Sequence, residues 1–193
     1  MPGTQAGAIP ITVRRLMNVN AVTPPSDRYL EDVTQTFKRG VPVCLVLGLI
    51  QESGTIDGVD DTIAGFSDEF GHNLTVAGTA QNLTYGNVQN QPSAVLIPVG
   101  APLSDGRVQV NIASNLVHFI GKTDDAHALA VADIGSLFGL TKDVASGQWF
   151  VDTTITTSAG GGLVEVTHLV DPVGTVGGRV EFRITDVYQQ LNF

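Results

Sequence analysis

The chain has little cysteine, lysine, aromatic surface or charge, and each shortage removes a class of explanation. Its 193 residues include one cysteine, Cys44, so no intrachain disulfide can form and the thiol has no cysteine partner for a zinc site. Within VPVCLVLGLI it reads as a buried, inert thiol. Only three lysines occur, Lys38, Lys122 and Lys142, and the net charge is −9. Nucleic-acid binders gain affinity by neutralising phosphates with Lys and Arg, so no nucleic acid is expected as a partner. One Trp and three Tyr leave few flat rings to stack on sugars. The longest apolar run, 41–50, contains Pro42 and Gly48. It is far shorter than the roughly 20 residues of a membrane helix, and no membrane partner is expected. The opening MPGTQAGAIP lacks the basic-then-apolar pattern of a secretory leader, which leads us to expect synthesis in a cytoplasm. Charged residues make up 15% of the chain, against about 25% in an ordinary soluble domain. So weakly charged a surface suits a protein that partners largely cover.

Apolar residues and glycine fill the space that is left. A content of 42% hydrophobic residues with 22 Gly and 9 Pro can bury a core and argues against wholesale disorder. The length fits one domain or a small pair of β modules. Charge is uneven: the first 40 residues are +2 and the remainder −11. Residues 1–36, with Pro2, Pro10, Pro24 and Pro25 around the extended stretch ITVRRL, read as an N-terminal arm, and the basic first 40 residues suggest that it docks on an acidic surface. Within it, SDRYLEDVTQTF offers Ser26 as a cap and sets Tyr29, Leu30, Val33 and Phe37 on one helical face, which predicts a short helix.

Residues 37–193 read as a β-rich body. Strands are expected in VPVCLVLGLI, TIAGF, SAVLIPVG, RVQVNIA, LVHFIG, QWFVDTTITT, LVEVTHLV and GGRVEFRI, and a hairpin in NLTVAGTAQNLTYGNVQNQ. HALAVADIGSLFGLT stays open between a strand and a short helical turn capped by Asp133 and running through Leu137. Val180, Phe182 and Ile184 alternate with Arg179, Glu181 and Arg183, so one face of that strand should meet the core. Short strands separated by glycine turns predict an all-β antiparallel sandwich or barrel.

The motifs that carry chemistry are weak. GTVGGR at 174–179 has the spacing G-x-x-G-G and precedes a strand, whereas a dinucleotide fingerprint needs G-x-G-x-x-G opening a helix. We read it as a turn between strands. Ser136 in IGSLFG lacks the G-x-S-x-G elbow. None of His72, His118, His127 and His168 has zinc-helix spacing, and His118 and His168 read as hydrogen-bonded structural histidines. Asp57, Asp60 and Asp61, and Asp124 with Asp125, read as solvated turn carboxylates, since DGVDD is not an alternating calcium loop. Trp149 reads as a core anchor. No catalytic residue, cofactor, metal or small-molecule substrate is expected.

The runs GVPVCLVLGLIQES, IAGFSDEFGHNLTVAG, NQPSAVLIPVGAP, GLTKDVASGQWFVDTT and LVDPVGTVGGRVEFRI, spread over residues 37–184, resemble tailed-bacteriophage head decoration, or cement, proteins. The G-x-P strand start and the I-A-G-F return are similar in texture to the β-tulip decoration proteins of lambdoid phages. The resemblance implies a non-enzymatic virion protein on the capsid exterior, made in the host bacterial cytoplasm. It also implies a homotrimer that bridges major capsid protein subunits. Arm contacts are then expected at Arg14, Arg15, Tyr29 and Leu30. The alternatives are a tail, baseplate or minor capsid component, and a glycan-binding adhesion sandwich.

Overall fold

In the computed structural model the described residues are 9–16, 25–54, 62–74, 77, 106–114, 116–156 and 162–191. They hold eleven strands: β1 (Thr12–Leu16), β2 (Ser26–Leu30), β3 (Pro42–Val46), β4 (Leu49–Glu52), β5 (Gly65–Ser67), β6 (Arg107–Ile112), β7 (Val117–Lys122), β8 (Leu137–Lys142), β9 (Trp149–Thr156), β10 (Val164–Leu169) and β11 (Arg179–Ile184). They form a six-stranded sheet, β1-β7-β11-β10-β8-β9, and a five-stranded sheet, β2-β6-β5-β3-β4. Neighbouring strands within each sheet are antiparallel, as the all-β reading expects.

Apart from β1, the same sheet is built twice. Numbered along the chain, the strands of each set run first-fifth-fourth-second-third: β2-β6-β5-β3-β4 and β7-β11-β10-β8-β9. Registers coincide as well. Leu30 faces Arg107 as Lys122 faces Arg179, and Gly65 faces Ile112 as Val164 faces Ile184. Pro42 faces Phe66 as Leu137 faces Glu165, and Leu45 faces Ile50 as Leu140 faces Val151. Each set curls until the residue after its first strand forms a parallel bridge to its third, Glu31 to Ile50 and Thr123 to Val151.

Hydrogen bonds outside the ladders match too. Glu31 N donates to Gly106 O and Thr123 N to Gly178 O, both at 2.9 Å. Gly40 N donates to Ser67 O and Gly135 N to Val166 O, both at 2.8 Å. Gly40 and Gly135 have φ of 79° and 84°, so both approaches to the second strand use the left-handed region that glycine enters without strain. GRVQVNI at 106–112 and GRVEFRI at 178–184 are the trace of this repeat in the sequence.

The two sets share a core. Phe66 of β5 stands 4.5 Å, ring centre to ring centre, from Phe119 of β7 and 6.1 Å from Phe182 of β11. Strand β1 lies on the edge of β7, with Ile11 buried beside Gly40 and Gly121. A 3-10 turn, Asp186–Tyr188, leads the chain back along β5, where Gln189 bridges Ile63. The described parts of segment 1–36 are therefore paired into the sheets, β1 in one and β2 in the other.

Four expectations need correcting. The helix over SDRYLEDVTQTF is absent: all five residues of β2 pair with β6, and a ladder of backbone hydrogen bonds outweighs a short helical pattern. The single strand over 41–50 is a hairpin, turned at Leu47 and Gly48. In HALAVADIGSLFGLT, a 3-10 turn covers Val131–Asp133, Asp133 is its last residue, and Leu137 begins β8. Glu181 is buried although it alternates with the exposed Arg179. SAVLIPVG, DGVDD and most of 73–91 lie outside the described residues.

Candidate functional site

Polar side chains buried in a β body have to find partners there, and the buried His118 and the half-buried His72 and His127 have done so. His118 on β7 places Nδ1 2.8 Å from Glu181 Oε1 on the neighbouring β11 and 3.1 Å from Thr167 Oγ1 on β10. A hydroxyl, an imidazole and a carboxylate are thus in reach of one another. Both partners meet the same ring nitrogen, however, so the imidazole cannot pass a proton from one to the other. The Thr167 hydroxyl also donates to the Glu181 carbonyl (3.2 Å), which makes the group a cross-strand tie. His72, after β5, lies 2.5 Å through Nδ1 from the buried Glu31 carboxylate. Its backbone N donates to Glu31 at 2.6 Å, and Nε2 stands 3.7 Å from Glu69. His127 sets Nε2 2.8 Å from Asp133 Oδ2, which also accepts from Ala130 N. His168, expected to be a hydrogen-bonded structural residue, is exposed on β10.

The carboxylates have architectural work. Asp124 accepts from Ala126 N and from both the backbone N and the hydroxyl of Thr153, fastening β9 to the loop after β7. Trp149 is buried as expected, and its Nε1 donates to Glu52 Oε1 at 3.0 Å. Lys142 pairs with the same carboxylate at 2.7 Å, so Glu52 ties the second strand set to the first. Among the described residues no group of three or more His, Cys, Asp and Glu side chains is placed to hold a metal.

The glycine stretch GTVGGR turns β10 into β11. Its backbone is spent on the loop after β7: Leu129 N donates to Thr175 O, Gly174 N to Leu129 O, and Gly177 N to His127 O. Arg179 N donates to Asp171 Oδ2 at 2.8 Å. These N–H groups serve the protein itself and do not form a cradle for phosphate.

The expected arm contacts fall on two different sheets. Arg14 and Arg15 belong to β1, where Arg15 is opposite His118. Tyr29 and Leu30 belong to β2, opposite Val108 and Arg107. Tyr29 packs half-buried against the core, and burial first and the Asp27 charge second push its hydroxyl above the ordinary 10.0. Leu30 is 37% exposed.

The exposed apolar residues form a different surface, which the period-two reading did not mark. The loops 126–136 and 170–178 are bound together by the hydrogen bonds just described and by a bridge between Ala128 and Val176. On these two loops Val131, Ile134, Val173 and Val176 stand exposed. A sequence signal existed for three of them: Ile134, Val173 and Val176 each lie next to an Asp, Pro or Gly, in stretches where polar side chains are the usual choice. Cys44 is half-buried on β3. No protein-family model, curated protein or solved structure matches the chain.

Proposed function

We propose that this chain is a structural virion protein: a decoration, or cement, protein on the exterior of a phage head that bridges major capsid protein subunits as a homotrimer. The resemblance of residues 37–184 motivates the reading. The observation that carries it is the braced loop pair with Val131, Ile134, Val173 and Val176 exposed. Aliphatic side chains held in water on a preorganised scaffold lose little entropy on docking, and they favour a protein partner. An acidic chain with three lysines would not adhere to packaged or free DNA. Many modest contacts on an icosahedral lattice then add up through avidity.

The arm needs recasting within this reading. Ile11 is buried, so removing residues 1–25 would strip the core as well as any contact. The better test titrates the intact chain onto undecorated heads and counts bound copies per particle. Binding across the whole shell is expected. Binding confined to one ring of copies at a vertex or tail would overturn the decoration reading in favour of a tail or baseplate part.

A further inference from the structure

The two strand sets repeat each other, and so do their most exposed side chains. In each set the second and third strands form a hairpin, β3–β4 and β8–β9. At the tips stand Leu47, 98% exposed, and Val144, 86% exposed, the two most exposed large hydrophobic residues among those described. The turns that deliver them differ. Leu47 and Gly48 make a two-residue turn with φ of 52° and 84°. Val144 stands in a longer turn held by Asp143, whose carboxylate accepts from Ala145 N and Ser146 N and whose carbonyl accepts from Gly147 N.

Two unlike backbones therefore present the same thing, an aliphatic side chain in water at the end of an ordered hairpin. Local physics opposes both choices. Apolar surface is disfavoured in water, and leucine at positive φ is strained where Asn or Gly would not be. At these exposures neither side chain supports the core. The Leu47 tip, VLGL, has no charge, and at the Val144 tip Lys142 is paired with Glu52, Asp143 is engaged by its own turn and the Lys38 ammonium donates to the Ser146 carbonyl.

We propose that Leu47 and Val144 are equivalent anchors, each filling an apolar pocket on a protein assembly of identical subunits, so that one chain engages the same pocket twice. The repeat argues for this occupant. Two like anchors on one chain match two like receptors, and such receptors recur on a lattice of identical copies. The inference rests on the reading of a shell-bound protein, and the pockets then belong to the major capsid protein.

The test uses the full chain carrying Leu47→Asn, Val144→Asn or both, with undecorated heads as the probe and sedimentation of bound protein as the readout. Each single change should weaken binding by about tenfold or more, and the double change should weaken it by roughly the product of the two. Thermal melting of Leu47→Asn should be no lower than that of the parent, because Asn tolerates positive φ. If the parent chain fails to bind heads, the functional reading falls. If the parent binds and the double variant binds equally well, only the anchor proposal falls. If the changes abolish self-association while head binding persists, the tips meet a second copy of this chain and the proposed occupant is wrong.

Discussion

Gly65 has no room for a side chain. A Cβ there would lie 2.1 Å from the Asn111 carbonyl oxygen on β6 and 2.9 Å from Val110 Cγ1. The obstacle is backbone in a paired strand, so it cannot step aside. Gly65→Ala should cost about 3 kcal/mol of stability, read as a lower urea midpoint. The glycine of IAGF was legible as a strand residue, but its reason was not, because Asn111 approaches from 46 positions along the chain. The same gap between sequence and space hid Glu181. Alternation with two arginines placed it on the outer face, whereas His118 on the neighbouring strand gives its carboxylate a buried partner. Leu47 was hidden for another reason: a two-residue hairpin turn announces itself through Asn-Gly or Asp-Gly, and this one carries Leu-Gly.

Within the β10–β11 element, one ion pair has a pH signature. Arg179 donates to Asp171 from Nε and Nη2 and from its backbone N. The side-chain hydrogen bonds from Arg179 are the largest influence and outweigh desolvation, and the backbone bond and the charges of Arg179 and Lys122 add to them, so the Asp171 carboxyl is held below its ordinary 3.8. A carboxylate whose value is lower folded than unfolded stabilises the fold above the unfolded value, and that support fades as pH falls through the folded value. The support is small because the pair stands in solvent. Melting temperature followed against pH should show Asp171→Asn slightly below the parent at pH 7. The two curves should converge as pH drops below about 3.8. A gap that persists unchanged in acid would show that the pair is not what stabilises this turn.

At the scale of the molecule, the repeated strand sets share one core through Phe66, Phe119 and Phe182. Phe66 belongs to the first set and Trp149 to the second. Phe66→Ala should cost roughly 3–5 kcal/mol and still give a single transition, with Trp149 fluorescence and far-UV circular dichroism changing together. Two separated transitions would mean that each set melts alone. The ties at Glu52, with Lys142 and Trp149, and at Gln190, whose side chain bonds both N and O of Leu45, argue for one.

By itself the sequence determined the all-β class and, from short apolar or alternating stretches between turn residues, the strands β6, β7, β9, β10 and β11. Period-two burial is a local property, written in neighbouring residues. Tertiary structure alone decided that Ser26–Leu30 is a strand, that 41–50 folds back on itself, and that one sheet is made twice. The hairpin closes through a Leu-Gly turn that lacks the usual turn residues, and the other two outcomes depend on hydrogen bonds between residues tens of positions apart. No short window of sequence contains both partners of such a bond.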